Sequence, residues 1–169
     1  MQFICLEQGI YRAESGTDIL GRPETALSSY NFFRPDAPSG EMRELYLSPQ
    51  ITAIGEHALY CKNLEKLHLH AGIRKLGHAI FFYCLPARGF IEIVYEGTSQ
   101  QFAALGAPFR EQVRVEAAGP YDRQPYCDTQ DSGYYYEERE RRFDASVADC
   151  RVLCADGVTL RYGYQTREG

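Results

Sequence analysis

Two histidines one residue apart, His68 and His70 in "LEKLHLH", are the residues of this 169-residue chain best spaced to hold a metal ion. On a strand, residues i and i+2 share a face, so both imidazoles would point the same way, and Glu92 on a later strand could bring a carboxylate near. A zinc centre needs three or four ligands, and the sequence fixes no third or fourth, so the pair reads as polar groups on a binding face. His57 and His78 fall where the chain should turn or return and have weaker claims. Cys150 and Cys154, in "CRVLC", could join Cys127 at zinc. On a strand, however, they would stand about 13 Å apart, too far to share one ion. Six cysteines are too few in a chain of this length for a disulfide framework, and they read as reduced thiols buried as small hydrophobes. There is no "GxxxxGK" phosphate cradle, no dinucleotide "GxGxxG" after a strand and no "GxSxG" elbow. Asp131, Glu137, Asp149 and Asp156 offer carboxylates in no ordered constellation. The expectation is a protein without catalytic residues, metal or cofactor.

Composition narrows the partners. The chain is 44% hydrophobic and 24% charged, ordinary for one globular domain, with a formal charge of -5 and a pI near 5.4. Nucleic-acid binding, which needs a basic stripe to displace phosphate counterions, is not expected. The one dense basic run, "EERERR" at 137–142, is spaced for i,i+4 ion pairs and reads as a solvated face. The apolar run "FICL" is too short for a signal-peptide core, and no stretch has the length to span a bilayer. A cytoplasmic protein with no membrane partner is expected, or a surface or secreted one if a leader has been removed.

What positions the histidines is a repeat. Sliding the sequence by 22 positions lays Leu45 on Leu67, Leu47 on Leu69, Ile51 on Ile73, Ile54 on Leu76 and Gly55 on Gly77. Ala58 then meets Ile80, Leu59 meets Phe81 and, after one extra residue, Cys61 meets Cys84. Periods in the twenties signal leucine-rich repeats. Alternation in "LHLH" turns the leucines inward and the histidines outward, giving one strand per repeat. Ile73 and Leu76 would carry the chain across the core, Gly77 would permit a backbone conformation that a side chain resists, and "HAIFFYC" would form a short helical return. A single unit cannot bury both its faces, so its neighbours supply the rest of the core.

"LYLSPQITAIGEHALYC" and "LHLHAGIRKLGHAIFFYC" resemble the unit of the BspA-like leucine-rich repeats, roughly Leu-x-x-Ile-x-Ile-Pro-x-x-Val-x-x-Ile-Gly-x-x-Ala-Phe-x-x-Cys. "IEIVYEGTSQQFAALG", 91–106, is similar to the unit that ends such arrays, where an aromatic-Gly-Thr turn precedes a short helix carrying an aromatic, here Phe102. That unit usually closes with one more strand, expected in "QVRVEA" around Val113 and Val115. The resemblance covers residues 41–117. Pro49 sits one residue late, the first copy lacks a residue before Cys61, and "LPARGF" lengthens the connection after Cys84. The resemblance implies an α+β fold, a short leucine-rich-repeat solenoid with one strand and a short helical return per repeat. It places Cys61 and Cys84 at the family's core position, packed and inert. It also implies a non-enzymatic interaction protein, since such repeats occur in bacterial and protist surface proteins associated with adhesion; a small metal- or thiol-dependent protein, or an enzyme with its site in the flanks, is the alternative.

So short an array needs capping at both ends. Residues 1–40 are expected as an N-terminal cap, with strand material in "FICLEQGIYRA" around Gly9 and a helix in "RPETALSSYNFF" that starts at Pro23 and buries a stripe of Leu27, Tyr30 and Phe33. Residues 118–169 are expected as a linker, "AAGPYDRQPYCDTQDSG" with its turn formers, and a C-terminal hairpin cap turning at Asp156-Gly157 and docked on the array. The outward strand positions then line up as a candidate binding face of Tyr46, Ser48, His68, His70, Glu92 and Val94, suited to a protein or peptide partner whose contact would respond to histidine titration. The thirteen tyrosines, among them the run 134–136, add recognition area or cap packing. Oligomeric state is left open.

Overall fold

The structure is a computed structural model that describes residues 1–77, 80, 81, 83–105 and 150–162, the last two of these by their backbone. The expected strand at Val113 and Val115, the linker, the "EERERR" run, the triple tyrosine, His78 and Cys127 lie outside the described residues. The fold is mixed α+β and rich in strand. In chain order the elements among the described residues are β1 (Gln2–Glu7), β2 (Ile10–Glu14), β3 (Ala26–Leu27), α1 (Tyr30–Phe33), β4 (Glu44–Leu47), β5 (Ala53–Ile54), β6 (Lys66–Leu69), β7 (Lys75–Leu76), β8 (Ile91–Tyr95), α2 (Ser99–Leu105), β9 (Cys150–Cys154) and β10 (Thr159–Tyr162).

A seven-stranded sheet runs β1-β2-β4-β6-β8-β9-β10, and a second ladder runs β3-β5-β7. The pairings from β2 through β9 are all parallel, while β1 and β10 close the two ends as antiparallel hairpin arms. Register follows the sequence repeat. Leu45 pairs with Leu67 and Ile54 with Leu76, each 22 positions on, and Leu67 then pairs with Ile93. Alternation sets the faces, since Leu45, Leu47, Leu67, Leu69, Ile91 and Ile93 are all buried while their strand neighbours are half-exposed. Tyr11, Leu45, Leu67, Ile93 and Val152 form one continuous inward row across five strands. Leu27, Ile54 and Leu76 form the facing row on the second ladder, and Ile51, Leu59, Ile73 and Phe81 fill the space between.

The backbone repeats its bonds from layer to layer. The carbonyl of Gly9 accepts from Arg43 and Glu44, that of Arg43 from Glu65 and Lys66, and that of Glu65 from Glu92. On the other ladder, the Leu27 carbonyl accepts from Gly55 and the Ile54 carbonyl from Gly77. Each layer therefore satisfies the backbone groups of the one before it, which a lone unit leaves open.

Three local expectations are corrected. Gly77 has no positive φ; a β-carbon there would instead lie 2.6 Å from the Gly55 carbonyl carbon and closer still to the Glu56 nitrogen, so close backbone approach is what demands glycine. The described parts of the two returns are turns and irregular chain with no helix. They bury Ala58, Leu59, Ile80 and Phe81 without one. In the N-terminal region the expected helix is one turn, and its buried residues are Asn31 and Phe32. Leu27 is buried from β3, while Tyr30 and Phe33 are exposed. The carbonyls of Thr25 and Leu27 accept from Thr52, Ala53 and Gly55 in the neighbouring layer, which holds this stretch extended.

Two elements match their sequence signals closely. α2 begins with a capping box: Thr98 Oγ1 accepts from the Gln101 backbone N–H at 3.1 Å, and Gln101 Oε1 accepts from the Thr98 N–H at 2.8 Å. Phe102 is buried against Tyr95, with ring centroids 5.3 Å apart. The β9–β10 hairpin turns at Asp156-Gly157, where Gly157 has φ +84, and β9 pairs with β8 from Ile91↔Cys150 to Tyr95↔Cys154. Among the described residues, no helix is long and apolar enough to cross a membrane.

Candidate binding surface

The outward positions of the large sheet form two rows. One joins Arg12, Tyr46, His68, Val94 and Leu153; the other joins Glu44, Lys66, Glu92 and Arg151. Both arise because parallel strands in register keep equivalent positions side by side. The second row alternates in sign, with Lys66 Nζ 3.5 Å from Glu92 Oε1. Arg151 lies against the Phe90 ring, its guanidinium carbon 3.9 Å from the centroid.

The first row centres on a stacked pair. The rings of Tyr46 and His68 are 3.7 Å apart and within 7° of parallel. Glu44 Oε1 is 2.6 Å from His68 Nε2 and accepts a 3.5 Å hydrogen bond from the Tyr46 hydroxyl. Partial burial, then the Glu44 carboxylate, pushes the Tyr46 phenol up from its ordinary value. The arrangement is a rigid aromatic platform braced by a carboxylate from the same strand as the tyrosine, with Val94 beside it.

The sequence-based candidates divide. Tyr46, His68 and Val94 lie side by side as expected, and Glu92 faces Lys66, two residues before the histidine. Ser48 is corrected: it is 3% exposed and its hydroxyl has no partner among the described residues, so it is not available on the face. The chain has already begun to turn there, and the Ser48 carbonyl accepts from the Ile51 N–H. His70 is also diverted from the face. Its Nδ1 accepts from the Gly72 N–H at 3.1 Å, which leaves Nε2–H to donate to the Ile51 carbonyl at 2.8 Å. Nδ1 thereby closes its own turn, while Nε2 ties that turn to the preceding one.

Glu44, Lys66, Arg12, Arg151 and Leu153 belong to the rows and were not singled out from sequence. Glu44 and Lys66 stand two residues before Tyr46 and His68, so strand periodicity could have found them. Arg151 and Leu153 required knowing that β9 follows β8 across the sheet. No described group of three or more His, Cys, Asp or Glu residues could hold a metal ion.

The cysteines are mostly interior. Cys61 and Cys84 are fully buried, and burial raises the Cys61 thiol well above its usual range and the Cys84 thiol to about 12. Cys61 Sγ donates to Met42 Sδ at 3.6 Å and Cys84 Sγ to the Leu59 carbonyl at 3.3 Å, so both are packed thiols and poor nucleophiles. Cys150 and Cys154 flank Val152 on the inner face of β9. Cys5 departs from the expectation of burial: it is exposed on β1.

Away from the strand face, Tyr30, Phe33, Tyr60 and Tyr83 form an aromatic chain, with successive centroids 6.3, 4.8 and 4.4 Å apart. A cleft of about 630 Å³ opens beside Cys5, Gly9, Tyr11, Glu41 and Arg43, where the Tyr11 hydroxyl donates to Glu41 at 3.1 Å.

These features define an α+β protein with in-register parallel ladders and a patterned outer sheet face. Comparison with family models, with curated proteins and with solved structures found no match to this chain.

Proposed function

We propose that the chain is a short leucine-rich-repeat solenoid of the BspA-like kind, with residues 1–40 and 118–169 as its caps, and that it serves as a non-enzymatic module binding a protein or peptide on its outer strand face. The observation that carries this reading is the half-exposed row Arg12, Tyr46, His68, Val94 and Leu153, continuous over five strands. Extended faces of this type suit recognition, and a braced aromatic pair offers contact area at low entropic cost. Parallel pairing at 22-residue steps supports the repeat reading, as do the capping box and the buried Phe102 of the terminal unit.

The test is parallel affinity capture from native cells with wild-type protein and with a Tyr46→Ala/His68→Ala/Val94→Ala variant. A partner retained by the wild type and lost by the variant, with similar melting curves for the two proteins, is the expected result. Equal capture by both would overturn the strand-face assignment.

A further inference from the structure

We propose that β1 is a docking edge for a second copy of this chain, two β1 strands pairing antiparallel about a twofold axis so that the two sheets become one. Among the described residues β1 is the terminal strand of the seven-stranded sheet, and five of its six residues are exposed. Only Phe3 is partly covered, its ring 5.1 Å from that of Phe32. Open edges present unpaired backbone groups, and proteins that stay monomeric commonly guard them with lysine or proline. The strand "QFICLE" has neither, and it exposes Ile4 at 37% and Leu6 at 42%.

The geometry selects one arrangement. A twofold axis normal to the sheet keeps paired side chains on a common face only when it passes through a residue position. β1 is regular from Gln2 to Cys5, and of the two central positions of that run Phe3 is packed on Phe32 while Ile4 is exposed, so the axis belongs at Ile4. Ile4 then meets its own copy on the outer face, Phe3 meets the copy's Cys5 on the inner face, and Gln2 meets the copy's Leu6. The strand's single charge, Glu7, falls at the outer ends, roughly 20 Å from its counterpart, where repulsion is screened. Self-pairing of this kind is isologous and closes at two copies; joining β1 to the opposite edge of another copy would be heterologous and open-ended. The edge is short and the buried area modest, so the dimer is concentration-dependent.

The experiment is sedimentation velocity on the full chain under reducing conditions over a concentration series, with an Ile4→Lys/Leu6→Lys variant alongside. A monomer–dimer equilibrium is expected for the wild type, shifted at least tenfold toward monomer in the variant, whose melting curve at low concentration should match. The two Cys5 residues would lie roughly 8 Å apart, two positions along and one strand across. A short bis-maleimide should therefore link wild-type chains covalently and fail with Cys5→Ser. A chain that remains monomeric at the highest concentration, a dimer that persists undiminished in the double-lysine variant, or cross-linking unaffected by Cys5→Ser would each overturn the proposal.

Discussion

Leu67 and His68 are neighbours in sequence and face opposite sides of β6. Leu67 is fully buried between Leu45 and Ile93, so Leu67→Ala should cost roughly 2–5 kcal/mol, the range for emptying a packed leucine site. His68→Ala removes a half-exposed stack and one bond to Glu44 and should cost under about 1 kcal/mol. Urea denaturation of both variants checks this, and equal losses would contradict the assigned faces. Side-chain direction at this scale was legible because it needs only alternation and the knowledge that leucines go inside. Alternation misled at Ser48 and His70, where the strand gives way to a turn. It also gave no warning that Cys5 would be exposed, because exposure there depends on β1 having no neighbour on its far side among the described residues.

Elements announced themselves where local chemistry and tertiary position agree. The aromatic-Gly-Thr turn before the short helix carrying Phe102 and the Asp156-Gly157 turn specify their structures within a few residues, and both are found; the Thr98–Gln101 capping box that starts that helix was not read from sequence. The helix expected from Pro23 is confined to the turn Tyr30–Phe33 because the carbonyls of Thr25 and Leu27 serve the adjacent layer, a demand that local sequence does not carry. α2 and the hairpin are also joined to each other. Asp156 Oδ2 accepts from the Ser99 N–H at 3.1 Å and the Ser99 hydroxyl at 2.8 Å, and these bonds depress its carboxyl pKa below the ordinary 3.8. A folded-state pKa below the unfolded one means the carboxylate stabilises the fold above the unfolded pKa and loses that contribution as pH falls through the folded value. Asp156→Asn should therefore lower the urea midpoint at pH 7, and the gap to wild type should shrink as the pH drops below about 3.8. A gap independent of pH would show that the charge is not what holds the turn to α2.

At the scale of the molecule, the stacked strands need covered ends. β9 lies along β8, and Cys150, Val152 and Cys154 extend the interior beyond Ile91, Ile93 and Tyr95. Deleting residues 118–169 should open that side and produce aggregation or non-cooperative melting in light scattering and calorimetry; a monomer with an unaltered transition would refute the capping role. The parallel core was legible from the 22-residue echo, but the identity of β8's outer neighbour was not, because nothing in the composition of "CRVLC" names the strand it joins. That pairing also bears on the order of assembly. Leu45 reaches Leu67 after 22 positions, whereas Ile91 reaches Cys150 only after 59. Closing the longer loop costs about 0.9 kcal/mol more in chain entropy, so the layers from β4 to β8 should form early and β9 should dock late. Mutations within β9 should then speed unfolding while leaving the refolding rate nearly unchanged, making the last strand to arrive the first to leave.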